Sequence, residues 1–129
     1  MEYPYQYLLF LYYFNEKRDY YECHDVMEDL WLEEQRSTFL QGLLQVAVGL
    51  YHFKWNNIPG AILLFEGAIQ KLEPYPQKMR GINVGKILNE TKEYYERLKN
   101  YKEKPFAFYD LTIEIIDPDL SKMVQFIRP

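Results

Sequence analysis

A chain of 129 residues that is 48% hydrophobic and 18% aromatic is long enough to bury a real core and too short for two, so residues 1–129 read as a single domain. A formal net charge of −4 and a pI near 5.2 argue against a general binder of the nucleic-acid backbone, although Lys99, Lys102 and Lys104 make a local basic patch. One cysteine, Cys23, excludes an intrachain disulfide framework and a four-cysteine zinc site, and it fits a reducing compartment, with the cytoplasm as the default expectation.

The first segment, MEYPYQYLLFLYYF, carries an apolar run from Tyr7 to Phe14. It lacks a basic leader and a small-residue cleavage site and is too short to cross a bilayer, so it reads as neither signal nor anchor. As a helix from near Pro4 to about Asn15 it is apolar on every side, which predicts burial or a partner interface rather than a membrane surface. Asp19 and Glu22 have capping-box spacing and start a second helix that continues to about Glu34. Its wheel gathers Cys23, Val26, Met27, Leu30 and Trp31 on one face and Glu22, Asp29 and Glu33 on the other, with His24 and Glu28 between them.

The third helix, Ser37 to Lys54, is apolar almost all the way round, as expected of an element surrounded by others. At about 100° per residue, Gln41, Gln45 and His52 fall in one narrow polar stripe bordered by Gly42 and Gly49. Amides and an imidazole beside helix glycines predict close approach by another element that itself carries polar groups. Ser37 or Thr38 introduces this helix, and Thr38 with Gln41 repeats the capping-box pattern.

Asn56 and Asn57 end the third helix, and Pro59 suits the first residue of a fourth that turns Ala61, Leu64, Phe65, Ala68 and Leu72 inward. Pro74-Tyr75-Pro76 stops it, a loop runs to Ile82, and Asn83 caps a well-solvated fifth helix to about Tyr101. From Phe106 to Ile116 the apolar residues alternate with period two. No second strand pattern accompanies them, so they predict an extended tail, within about 103–129, laid over the bundle or paired with a neighbouring subunit. Asp117-Pro118 precedes a final helical turn or a frayed end. The fold class is therefore all-α, a compact bundle of four to five helices with an extended C-terminal tail.

If the second and third helices run antiparallel, His24 and Glu28 meet Gln45 and His52 across their seam. Two chemistries suit such a seam: a divalent metal on His24, Glu28 and His52, or a carboxylate–imidazole pair that moves protons. The plainer reading is a satisfied polar network that fixes helix register. Two histidines and one carboxylate are the minimum for a catalytic zinc site, and paired Glu-x-x-His motifs for a di-iron centre are absent. Trp31 and Tyr21 lie near the seam as candidate stacking groups, although aromatics at helical spacing most often belong to a core. Cys23 points about 100° away from His24 and reads as a small apolar packing group. No glycine-rich phosphate loop, GxSxG elbow or HExxH motif supports nucleotide hydrolysis, serine hydrolysis or thermolysin-type chemistry.

The phrase Phe14-Asn15, Tyr20 to Trp31 (YYECHDVMEDLW), Phe39 to Ala47 (FLQGLLQVA), Tyr51-His52, Asn56 and Gly60-Ala61 resembles the small helical proteins grouped as domain of unknown function 309. The resemblance covers roughly Leu8 to Leu98 and is specific because several polar and glycine positions match together. It implies an all-helical bundle, no established activity, and motif positions at Glu22, His24, Glu28, Trp31, Gln41, Gly42, Gln45, His52, Asn56 and Gly60. Asp25 and Cys23 stand where many members carry Glu and Ala. A shorter stretch, Gly49 with Ala61, Phe65 and Ala68, is similar to one tetratricopeptide unit and implies a hairpin of the third and fourth helices, not a repeat scaffold.

The functional expectation is a helical interaction or scaffold domain that binds a protein partner or itself through aromatic surface on the first helix and the Phe106–Ile116 tail, since thirteen tyrosines and eight phenylalanines are many for so small a domain to bury. The alternative is a metal-dependent or acid/base enzyme acting on a small substrate at the seam. No resident cofactor is expected beyond that possible divalent metal.

Overall fold

In the computed structural model, which describes residues 3–129, four polar side chains each start a helix by accepting a backbone N–H three residues on. Asp19 accepts from Glu22 at 3.1 Å, Ser37 from Leu40 at 3.3 Å, Asn57 from Gly60 at 3.1 Å and Asn83 from Lys86 at 3.0 Å. The cap of the third helix is Ser37 and not Thr38, so Gln41 plays no part in a capping box.

The elements are α1 (Tyr5–Tyr12), a π-helical turn (Tyr13–Lys17), α2 (Tyr20–Glu33), α3 (Thr38–Lys54), α4 (Ile58–Leu72), β1 (Lys78–Met79), β2 (Ile82–Asn83), α5 (Val84–Lys99) and α6 (Pro118–Gln125). The all-α class holds, but six α-helices stand among the described residues where four to five are expected. The additional one is α6, a full helix capped by Asp117 where the sequence predicts a turn or a frayed end. Pro59 is the second residue of α4, after Ile58.

The segment before α5 is a two-residue-loop hairpin, with Lys78 opposite Asn83 and Met79 opposite Ile82. Its loop is Arg80-Gly81, with φ of +50° and +79°, the pair of left-handed residues that matches the twist of a tight hairpin. Arginine in the first of those positions hides the turn from any search for Asn-Gly or Asp-Gly. The Arg80 guanidinium is held by Glu34 at 2.6 and 3.2 Å and lies 4.9 Å from the centre of the Tyr7 ring.

α3 packs on both α2 and α4, α4 continues to α5, and α1 packs on α2 and α6. The close approach expected at the glycines is real, but its partner is apolar. A Cβ on Gly42 would meet Leu72 at 2.8 Å and one on Gly49 would meet the Phe65 ring at 2.8 Å, so α4 presses hydrocarbon, not polar groups, onto this side of α3. Of the residues predicted inward on α4, Ala61, Phe65, Ala68 and Leu72 are buried and Leu64 is half-buried.

The segment from Pro105 to Ile116 is extended and laid over the bundle. Leu111 and Ile113 are buried while Asp110, Thr112 and Glu114 are exposed, as the alternation requires. It is fastened by side chains in place of a strand partner. Asn15 donates to the Ile113 carbonyl at 2.8 Å and accepts from the Ile113 N–H at 2.9 Å, reproducing one step of a β-ladder. Arg18 donates to the Leu111 carbonyl and to Thr112 Oγ1, and Tyr20 donates to Asp110. The Tyr94 hydroxyl donates to the Tyr109 carbonyl at 3.0 Å and accepts from its N–H at 3.2 Å. Beyond these, Asn83 N–H donates to the Glu114 carbonyl and Ile116 N–H to the Gly81 carbonyl, which ties the strap to the hairpin.

The same strap closes an aromatic cluster. Phe53 lies 5.0 Å from Phe106, 5.7 Å from Tyr94 and 6.0 Å from Phe108, centroid to centroid. Tyr7, Phe10, Leu11 and Phe14 of the first segment are fully buried as well. Of the aromatic residues of α1 and the strap, expected to bind a partner, Tyr7 and Phe10 are buried, Tyr12, Phe106, Phe108 and Tyr109 are half-buried, and Tyr5 is exposed.

Candidate binding site at the seam of α2 and α3

Antiparallel packing of α2 on α3 brings His24 and His52 to the wall of one small cavity of about 170 Å³, which they share with Tyr20, Tyr21, Val48 and Tyr51. The rest of the predicted set separates. Glu28 Oε2 lies 3.3 Å from His24 Nε2, one turn along the same helix, and Asp25 Oδ1 lies 3.5 Å from His24 Nδ1. His52 Nδ1 instead sits 3.3 Å from the Asn57 amide nitrogen.

Gln45 turns the other way, toward α4, where its Oε1 occupies the space left by Gly67; a Cβ on that glycine would lie 2.8 Å from it. Gln41 is half-buried in the first turns of α3 and is not among the cavity-lining groups. Trp31 is half-buried, with the Arg36 guanidinium 5.8 Å from its ring centre, and it too is absent from the cavity wall. Gln45 Oε1 and Trp31 Nε1 are buried without a protein hydrogen-bond partner among the described residues. Among the described residues no three His, Cys, Asp or Glu side chains form a group that could hold a metal ion. The triad His24, Glu28 and His52 is thus a pair and a single residue.

What this geometry can do is bind. His24, with a carboxylate beside each ring nitrogen, is an oriented imidazole at the edge of an apolar hole. Tyr20 forms the floor, buried, with its phenol pushed up from the ordinary value first by burial and then by its hydrogen bond to Asp110. Cys23, behind the seam, is fully buried and its thiol is likewise pushed up by burial, so it packs as a small apolar group.

The exposed surface around the hole and its neighbouring cavity is aromatic. Tyr21 is 57% and Trp55 71% exposed, and Tyr51 stands between them, 5.9 Å from the first ring and 6.4 Å from the second. Tyr20, Tyr21 and Tyr51 also line a second cavity of about 460 Å³, where Lys17, Arg18 and Lys54 stand with one carboxylate, Asp19. Trp55, Lys17 and Lys54 belong to no motif; the available signal is that Tyr51 and Trp55 are four apart at the end of a helix and so share a face.

Comparison with known proteins adds family and no chemistry. A family model described as "Domain of unknown function (DUF309)" matches residues 7–64, a shorter span than the expected Leu8 to Leu98. The chain is similar to a protein described as "Uncharacterized protein YpuF" of Bacillus subtilis (strain 168), at 30% identity over 125 residues, covering 93% of this chain and 70% of the relative. It is also similar to an "Uncharacterized protein" of Aquifex aeolicus (strain VF5), at 28% identity over 88 residues, covering 66% of this chain and 25% of that protein. No helix among the described residues is long and apolar enough to cross a membrane.

Proposed function

The chain belongs to the DUF309 family, and for this member we propose an interaction domain that holds a protein partner at the seam of α2 and α3. The observation that carries the reading is the contrast between two sets of aromatics. Those of α1 and of the Phe106–Ile116 strap are mostly drawn into the fold, with Tyr5 left exposed, whereas Tyr21 and Trp55 stand exposed on either side of Tyr51, Tyr21 on the wall of the apolar hole and Trp55 on that of the neighbouring cavity. Exposed aromatic rings around a pocket are the arrangement that anchors partner side chains at protein interfaces. The acid/base alternative has the His24–Glu28 pair in its favour, but His52, its expected third member, is turned to Asn57.

The reading is tested by placing a photoreactive benzophenone side chain at position 21 and, as a control, at the exposed position 102, in the cells from which the chain comes. Adducts with another protein, or with a second copy of the chain, should form from position 21 and not from position 102. A seam that yields no adduct at all, in a chain that still folds, would remove the proposal.

A further inference from the structure

The two cavities at the seam are neighbours. Tyr20, Tyr21 and Tyr51 line both, so the two adjoin across those rings and present a surface whose character changes along its length. One end carries Glu28 and Asp25 around His24, the middle is the apolar hole between Val48 and Tyr51, and the other end carries Lys17, Arg18 and Lys54 with the single carboxylate of Asp19.

The two lysines are available. Arg18 is committed to the Leu111 carbonyl and Thr112, but the amino groups of Lys17 and Lys54 lie 5.9 and 5.8 Å from the Tyr12 and Phe108 ring centres, with no carboxylate at salt-bridge distance among the described residues. On a chain with a net charge of −4, these two stand with Arg18 in the wall of one cavity, beside the exposed Tyr21 and Trp55 and against the single carboxylate of Asp19.

From this we infer that this surface takes an extended peptide segment in which an apolar side chain, seated between Val48 and Tyr51, is followed on one side by acidic residues that pair with Lys17 and Lys54. The inference rests on the reading of the seam as an interaction surface and adds the chemistry of the partner. Volume sets the anchor. At roughly 30 Å³ for each water in the liquid, a hole of about 170 Å³ has room for five or six waters, which suits one leucine- or phenylalanine-sized side chain and is too small for a long acyl chain. Charge sets the direction, because acidic residues placed at the other end would face Glu28 and Asp25 and be repelled.

The test is fluorescence anisotropy on the full chain, using a labelled short peptide with a leucine-phenylalanine pair followed by glutamates. A second peptide carries lysines in place of the glutamates, and adenosine monophosphate and single-stranded oligothymidylate serve as competitors. The acidic peptide should bind, and its affinity should fall as salt is raised. Lys54→Glu and Tyr21→Ala, both at exposed positions and so compatible with an unchanged melt, should each weaken binding about tenfold or more, whereas Lys102→Glu should leave it unchanged.

Equal binding of the lysine peptide, indifference to Lys54→Glu, displacement by the nucleotide or the oligonucleotide, or no binding of the acidic peptide would each overturn the inference. Adducts from position 21 together with any of these results would leave the interaction reading standing and remove only its acidic partner. Neither adducts nor peptide binding would remove both.

Discussion

A Cβ placed on Gly49 lies 2.8 Å from a Phe65 ring that is itself fully buried and 5.2 Å from the ring of Tyr94, so the ring has nowhere to retreat. Two effects compete in Gly49→Ala: a gain of about 1 kcal/mol from replacing a helix glycine and an overpacking cost of about 1–3 kcal/mol. The net expectation is no change to a loss of about 2 kcal/mol, while Gly49→Leu should cost about 1–3 kcal/mol or more. Chemical denaturation of both variants checks the order, and a Gly49→Leu midpoint equal to that of the wild type would mean that α4 does not press on this glycine. The same contacts explain how much of the site could be read from the sequence. A helical wheel places Gln41, Gln45 and His52 in one stripe, but it does not say which neighbour approaches each part of the stripe. Gly67 lets α4 come close enough to take Gln45 away from His24, and the decisive residue is therefore on a third helix, outside the stripe altogether.

Between Pro105 and Ile116 the alternation of buried and exposed residues is legible in the sequence because period two survives whatever the strand is paired with. Its partner is not legible, because the pairing is made by single side chains: Asn15 in the π-helical turn, Arg18 just after it, Tyr20 at the start of α2 and Tyr94 on α5. A π-helical turn adds a residue to the helical repeat and so redirects the side chains that come after it, and here it faces Asn15 toward the strap. Asn15→Ala would leave the Ile113 N–H and carbonyl without their partners, and Tyr94→Phe would do the same at Tyr109, at a cost of about 1–3 kcal/mol each. Amide hydrogen exchange is the discriminating measurement. Faster exchange at Ile113 in Asn15→Ala, with α3 still protected, is the expected result, and uniform loss of protection across α3 would show that the strap and the bundle unfold as one unit.

Across the whole molecule the buried phenols make stability depend on alkaline pH. Tyr7, Tyr20 and Tyr94 have rings at or near zero exposure, and burial pushes each phenol up from the ordinary value of 10.0. Tyr3, hydrogen-bonded to Asp117, is pushed up to about 12 chiefly by that bond, which in turn holds the Asp117 carboxyl below its usual range. For an acid whose folded pKa is raised, the unfolded chain releases its proton first. The stabilisation is therefore complete below pH 10 and is lost as pH climbs from there toward the folded values. With the three buried phenols ionised in the unfolded chain and neutral in the fold, the linkage slope reaches about 4 kcal/mol per pH unit. Set against a domain stability of about 5–15 kcal/mol, that slope unfolds the protein within a few pH units above about 10. Circular dichroism and phenolate absorbance followed together should show part of the phenolate signal held back and then released at the unfolding transition. Phenolate formation that runs to completion while the helices remain intact would mean that these rings are open to solvent, and Tyr7→Phe, which removes one of the linked protons, should make the alkaline loss of stability shallower.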